Sequence, residues 1–175
     1  MIAGNDTTAA LISNGTLRLA EFPDQRRILH HEPGWMPNAI EEMTRYDSPT
    51  VQSPPRITTR DVELHGRRIP AGSAVVLIWM SANHDERQYP APERFDVKRE
   101  LGRHMGFGHG LHVCLGAHLA RLEGRVAFEE LLGAMPEYAS EGAGVRWAST
   151  WLRPIGQLEV TFDSGYAVER LADVV

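Results

Sequence analysis

Apolar positions in the first fifty residues recur at helical spacing, and proline and glycine cut them into three stretches. The small, polar run Ala3-Gly4-Asn5-Asp6-Thr7-Thr8 leads into Ala9, Ala10, Leu11 and Ile12. Helix formers after such a start predict a helix reaching about Ala20. Within 21–32, Pro23 and Asp24 stand where a second helix would begin. Arg26, Arg27, His30 and His31 fall in its later turns, where cations suit the dipole, and Pro33-Gly34 stops it. Asn38 is placed to cap a third helix with Ile40 and Met43 on one side, Glu41 and Glu42 near its start and Arg45 near its end. Asp47-Ser48-Pro49 ends that helix.

The pattern then changes. Residues 56–60, 62–64, 68–69 and 74–80 are β-rich and are separated by His65-Gly66 and Pro70-Ala71-Gly72, which predicts a small antiparallel sheet. Residues 81–103 have no clear period; a polar stretch this long is usually functional or held by its own contacts. Residues 107–116 are glycine-rich and lead into Leu115, Leu119, Leu122 and Val126, whose spacings of four, three and four define one apolar helical face, with Arg121, Arg125 and Glu129 largely elsewhere. Residues 145–147 and 158–162 read as short strands. The whole is mainly α with small β-sheets (α+β), one domain over 1–162 followed by a loose tail at 163–175.

The 175 residues are 42% apolar and 23% charged, which suits one compact domain and excludes disorder as the main state. A net charge of −5 argues against nucleic acid or an anionic membrane as the principal partner. The longest apolar run, residues 74–80, is far shorter than the roughly 20 residues of a membrane helix, and no signal-peptide pattern opens the chain. A cytoplasmic location is therefore expected. A single cysteine, Cys114, leaves no internal disulfide, so its sulfur serves packing, metal ligation or reactivity.

Cys114 stands at the junction of a glycine-rich turn and an amphipathic helix, where unpaired N–H groups and the helix dipole favour a thiolate and orient a ligand sulfur. Gly108, Gly110 and Gly116 allow the backbone close to something flat or bulky, and Phe107, Leu111 and Leu115 would keep water from it. Apolar packing is the ordinary use of a lone cysteine. A zinc site with His109, His112 and His118 and a Cys-His nucleophile are the competing chemistries.

The run Phe107-Gly108-His109-Gly110-Leu111-His112-Val113-Cys114-Leu115-Gly116 resembles the haem-thiolate loop of the cytochrome P-450 family, F-G-x-G-x-H/R-x-C-x-G. Its chance occurrence is below about one in a million. Three further segments follow in the family's order. Glu42-Met43-Thr44-Arg45 matches the E-x-x-R helix, and Pro92-Glu93-Arg94-Phe95 matches the stretch whose arginine completes a Glu-Arg-Arg cluster, here Glu42, Arg45 and Arg94. Residues 56–66 resemble the strand whose leading arginine, Arg56, binds a haem propionate; His112 is placed by the same pattern to meet the propionates. Ala3-Gly4-Asn5-Asp6-Thr7 matches the distal-helix segment in which Thr7 would donate to bound dioxygen and Asp6 would relay protons. Each of the three also has an ordinary reading: an exposed ion pair, an edge-strand charge, a helix cap.

The resemblance implies haem b as cofactor with Cys114 as iron ligand, Arg56, Phe107, Gly108, His112 and Gly116 as cofactor-binding residues, and Asp6 and Thr7 as catalytic ones. The implied reaction is monooxygenation of a small apolar substrate, because a thiolate ligand favours O–O cleavage. Electrons would come from a ferredoxin-type or other donor, and Lys98, Arg99, Arg103, Arg121 and Arg125 offer a basic docking patch or simply a solvated face. The implied fold is the C-terminal part of the P-450 fold. The chain is well under half a full member and begins within the distal helix, so a companion chain or self-association is expected to complete the site. A truncated non-oxidising haem-binding module, an inactive remnant acting as an interaction protein and the zinc site stay open.

Overall fold

The computed structural model describes residues 2–142, 145–146, 149 and 151–163. Helix α1 (Ile2–Glu21) takes in the small polar run, so Ala3 to Thr8 are helical rather than a lead-in. Helix α2 (Pro23–His31) begins on Pro23, whose missing N–H has no helical partner to lose. A 3₁₀ turn at Pro33–Trp35 passes into α3 (Met36–Tyr46). Asn38 lies inside α3 and does not cap it. Its side-chain amide donates instead to the carbonyls of Val97 (2.6 Å) and Arg99 (3.1 Å), latching the distant irregular stretch to the helix.

The expected sheet over 56–80 is two separate antiparallel ladders, β1 (Arg56–Ile57) with β4 (Ala74–Val75) and β2 (Val62–Leu64) with β3 (Arg67–Ile69). Thr58 closes the gap between them, its hydroxyl donating to the Pro70 carbonyl at 2.7 Å. Residues 76–78 are exposed and belong to no strand, with Ile78 making only an isolated antiparallel bridge to Gln52, and Met80 belongs to the short helix α4 (Trp79–Asn83). The stretch that lacked a period contributes Tyr89, Phe95 and Val97 to the interior; Phe95 stacks against Phe22 and Tyr46 with centroids 5.5 and 5.3 Å away. Helix α5 (Ala117–Ala134) follows the cysteine loop. Then come β5 (Tyr138–Ser140) paired with β8 (Val160–Phe162), and β6 (Val145–Arg146) paired with β7 (Ile155–Gln157). Of the expected 145–147 strand, Trp147 lies outside the described residues, as do residues 164–175 of the expected tail. Strand β7 had no expectation.

The apolar stripe of α5 does not face the core. Leu119, Leu122 and Val126 are about half exposed, whereas Ala117, Gly124, Phe128 and Leu132 are buried. The cause is close helix crossing. A methyl on Gly124 would stand 3.2 Å from Leu11 and 3.3 Å from Ile40, so α1 and α3 approach α5 where it has no side chain. Phe128 fills the crossing and joins Leu11, Ile40, Met43 and Leu132 in one core.

Gly15 and Gly4 of α1 should therefore behave oppositely. A methyl at Gly15 would lie 2.5 Å from the Phe128 ring and 2.8 Å from the Met43 sulfur, while one at Gly4 meets nothing within 4 Å. Urea unfolding should show Gly15→Ala destabilised by about 1–3 kcal/mol through overpacking and Gly4→Ala unchanged or slightly more stable.

Candidate functional site

A cavity of about 940 Å³ separates α1 from the loop that carries Cys114. That is the upper end of the roughly 300–1,000 Å³ usual for small-molecule and cofactor sites. Gly4, Thr7, Thr8 and Leu11 of α1 form one wall; Phe107, His112, Cys114 and Gly116 form the opposite one. Leu115 and Leu119 widen its apolar part, and Thr44, Pro49 and Trp79 close another side. Cys114 is exposed toward this space. Leu115, just before α5, and Leu119 in its first turn thus belong to the cavity and not to the core.

The loop owes its shape to its glycines. Gly108 and Gly110 both have φ +71°, a backbone region that costs an L side chain strain. Gly106 presses on α3, where a methyl would lie 2.5 Å from the Thr44 side chain and 2.9 Å from its carbonyl. Internal bonds close the turn: Gly108 N–H donates to Met105 O (2.8 Å), and Cys114 N–H donates to Phe107 O (2.8 Å).

Two polar clusters hold the loop from behind. In the first, Glu42 and Arg45 have no exposed side-chain surface and are joined by bonds of 2.7 and 2.9 Å. The Asp96 N–H adds a third donor to Glu42 at 3.1 Å. The second arginine of this cluster is Arg99, at 3.3 Å from Glu42 and 10% exposed, not Arg94. Arg94 is 70% exposed and faces Asp96 at 3.5 Å. The turn that begins at Ala91, with φ +48°, explains the exchange. Arg94 spends its carbonyl on Arg99 (2.6 Å), and Arg99 also takes the carbonyls of Pro90 (2.7 Å) and Ala91 (3.0 Å), so the later arginine is drawn inward. Arg45 binds the Asn83 carbonyl at 2.8 Å, and the Asn83 side chain accepts the Met105 N–H at 2.7 Å, which carries the cluster on to the cysteine loop.

The second cluster is Glu41, His104 and Arg121, of which the sequence pattern marks only Arg121, and that as part of the basic patch. Arg121 donates to Glu41 at 2.5 and 3.0 Å, and His104 meets the same carboxylate at 2.8 Å. Burial raises the Glu41 pKa, but the bonds from His104 and Arg121 outweigh it and hold the carboxyl at about 2.

The remaining candidates divide. Thr7, Phe107, His112, Cys114 and Gly116 share the cavity wall. Asp6, Arg56 and Gly108 do not line it: Arg56 is exposed on β1 opposite Val75, and Asp6 lies near the Asn5 amide at 3.4 Å. The Thr7 hydroxyl donates to the Ala3 carbonyl at 2.7 Å. No three His, Cys, Asp or Glu side chains gather to hold a metal among the described residues, so the zinc arrangement is not formed. The basic patch is largely neutralised within the chain, with Lys98 on Glu32 (2.7 Å), Arg99 on Glu42, Arg121 on Glu41 and Arg125 facing Glu129 at 3.6 Å.

Arg99→Ala should lower stability by roughly 2–4 kcal/mol in urea unfolding, because it leaves a buried carboxylate short of donors. Arg94→Ala should stay within about 0.5 kcal/mol. A carboxyl held below its unfolded value stabilises above that value and loses the contribution as pH falls. The Glu41 share should therefore fade between about pH 4.5 and 2 in wild type and be absent in Glu41→Gln, read as the urea midpoint against pH.

The cytochrome P-450 family model matches residues 35–134. The chain is 48% identical over 139 residues to the vitamin D(3) 25-hydroxylase of Pseudonocardia autotrophica, covering 79% of this chain and 34% of the relative. It is 42% identical over 164 residues to the methyl-branched lipid omega-hydroxylase of Mycobacterium tuberculosis, covering 93% and 38%. The crystal structure of P450BioI in complex with an acyl carrier protein carrying hexadec-9Z-enoic acid superposes with a TM-score of 0.89 at 38% identity, over 93% of this chain and 42% of that one. The chain thus spans about a third to two-fifths of the length of these relatives. Members of this family bind haem b through a cysteine thiolate, and no described helix is long and apolar enough to cross a membrane. With the family model matching more than half of its length and its fold superposing on a solved member over 93% of the chain, the chain belongs to the cytochrome P-450 family.

Proposed function

We propose that this chain carries the cysteine-ligand portion of a haem-thiolate monooxygenase, with residues 1–162 as its haem-binding domain. The observation that carries the reading is the exposed Cys114 sulfur on one wall of the 940 Å³ cavity, with the Thr7 stretch of α1 on the other. A flat apolar macrocycle suits this space. Its size is sufficient, its lining is mostly apolar, and the glycines let the loop backbone lie close without Cβ collisions.

Cys114 would hold the iron, Phe107 and Gly116 would pack beside the ring, Gly108 would shape the turn, and His112 would donate toward a propionate. Arg56, which does not line the cavity, would meet a propionate from β1. Haem bound there supplies dioxygen binding and reductive O–O cleavage, favoured by electron density from the thiolate. Thr7 contributes a hydroxyl whose one proton is donated to the Ala3 carbonyl, so donation into the cavity requires the hydroxyl to turn away from that carbonyl. Asp6 would feed protons to that hydroxyl from outside the wall. Leu11, Leu115 and Leu119 line the same space with apolar surface that would exclude water once a ring is bound there.

The substrate is a small apolar molecule, in keeping with relatives named for hydroxylating vitamin D(3) and methyl-branched lipid. Electrons come from a ferredoxin-type donor, in the cytoplasm. A companion chain or a second copy covers the apolar face left open by Leu119, Leu122 and Val126. A haem-binding module without oxidation is the second reading, favoured by Asp6 lying off the cavity and by the Thr7 proton already being bonded.

Haem titration followed by absorbance tests the proposal. Wild type should bind haem one to one and, when reduced under carbon monoxide, show the red-shifted Soret band of thiolate ligation. Cys114→Ser should lose that band. A colourless wild type, or identical spectra for both proteins, contradicts the reading. Substrate-dependent reductant consumption with a ferredoxin pair separates oxidation from binding alone.

A further inference from the structure

Beside the cysteine loop lies a carboxylate that belongs to neither the cysteine motif nor the Glu42 cluster. Glu41 of α3 meets both ends of the cysteine loop. At the leading end, the His104 side chain is 4% exposed and its Nε2 lies 2.8 Å from Glu41. The other ring nitrogen, Nδ1, accepts the Gly106 N–H at 3.1 Å. A backbone N–H only donates, so Nδ1 carries the lone pair and Nε2 carries the proton given to Glu41. At the trailing end, Arg121 of α5 grips the two Glu41 oxygens at 2.5 and 3.0 Å.

Phe107 lies between these two partners. The Arg121 guanidinium is 4.4 Å from its ring centroid and the His104 ring is 5.9 Å away. The Phe107 carbonyl accepts the Cys114 N–H at 2.8 Å. A continuous path thus runs from the Glu41 carboxylate through Arg121 and the Phe107 ring to the Cys114 backbone.

We infer that Glu41 is a positioning residue for Cys114, a single ionised carboxylate that clamps His104 and Arg121 about Phe107 and so fixes where the sulfur stands on the cavity wall. The inference rests on Cys114 being the haem ligand only for its spectroscopic consequence; the clamp itself is a property of the chain without cofactor. Charge is required as well as shape. Glu41 faces three donor hydrogens, two from Arg121 and one from His104, and a carboxylate offers acceptors on both oxygens. In Glu41→Gln one of those oxygens becomes an NH₂ set against a donor. The loop remains tied through Asn83 and Met105 (2.7 Å), so the substitution loosens the loop locally and leaves the core in place.

Amide hydrogen exchange on the chain without haem reads the clamp directly. Glu41→Gln should speed exchange across 104–117 at least tenfold while leaving 2–31 unchanged. Exchange equal to wild type, or faster everywhere alike, overturns the inference. Should Glu41→Gln fail to fold, Arg121→Lys decides by the same criterion, since it keeps the charge at a partly exposed position but gives up the two-pronged grip and the stacking on Phe107. With haem bound, the share of the ferrous carbonyl complex showing the thiolate-type Soret band should fall at least twofold in the variant; an unchanged share counts against positioning. If wild type takes up no haem, the monooxygenase reading falls, and the exchange result still settles the clamp.

Discussion

Glu42 is a carboxylate with no exposed surface, and much of the site's framework follows from supplying it with donors. Arg45, one helical turn away, provides two, and the Asp96 N–H and Arg99 provide the others. Such a cluster adds little net stability, because desolvation offsets the attraction; stripping a buried charge of its main ion-pair partner, here Arg45, however, costs about 3–5 kcal/mol. Its value is geometric. Arg99 brings with it the carbonyls of Pro90, Ala91 and Arg94, and Arg45 binds the Asn83 carbonyl. The loop from 84 to 106, which has almost no regular structure, is thereby fixed on the back of α3 and delivers the cysteine turn to one place.

The front of that turn is shaped by close approach of helices. Gly124 and Gly15 let α1, α3 and α5 meet around Phe128, and α1 emerges from that crossing with its first two turns free of the core. Those turns become one wall of the cavity and the start of α5 becomes another. Leu115 and Leu119 are exposed for this reason; they face a space sized for a cofactor.

The sequence disclosed most of the elements and the identity of the sulfur. Pro23, Pro33-Gly34 and Ser48-Pro49 mark real boundaries, and the Phe107 to Gly116 run forms the tight left-handed turns its glycines require. Three features were hidden. The first half of the buried face of α5 is Ala117 and Gly124, which carry little hydrophobic signal ahead of Phe128 and Leu132, while the leucine stripe that does carry one faces the cavity and solvent. Arg94 and Arg99 look equivalent in one dimension, and only the turn at Ala91 selects between them. The Glu41, His104 and Arg121 cluster spans three elements separated by tens of residues, a distance over which spacing says nothing. Small residues at crossings and long-range polar contacts are the common cause of these misses.

Ligation of iron by Cys114 is the claim on which the functional account stands. X-ray absorption at the iron edge of the haem-loaded chain measures it without reference to turnover. The account predicts one sulfur scatterer in the first shell of the wild-type iron and its loss in Cys114→Ser. An iron shell of nitrogen and oxygen alone in wild type, or a sulfur that survives the substitution, would contradict it.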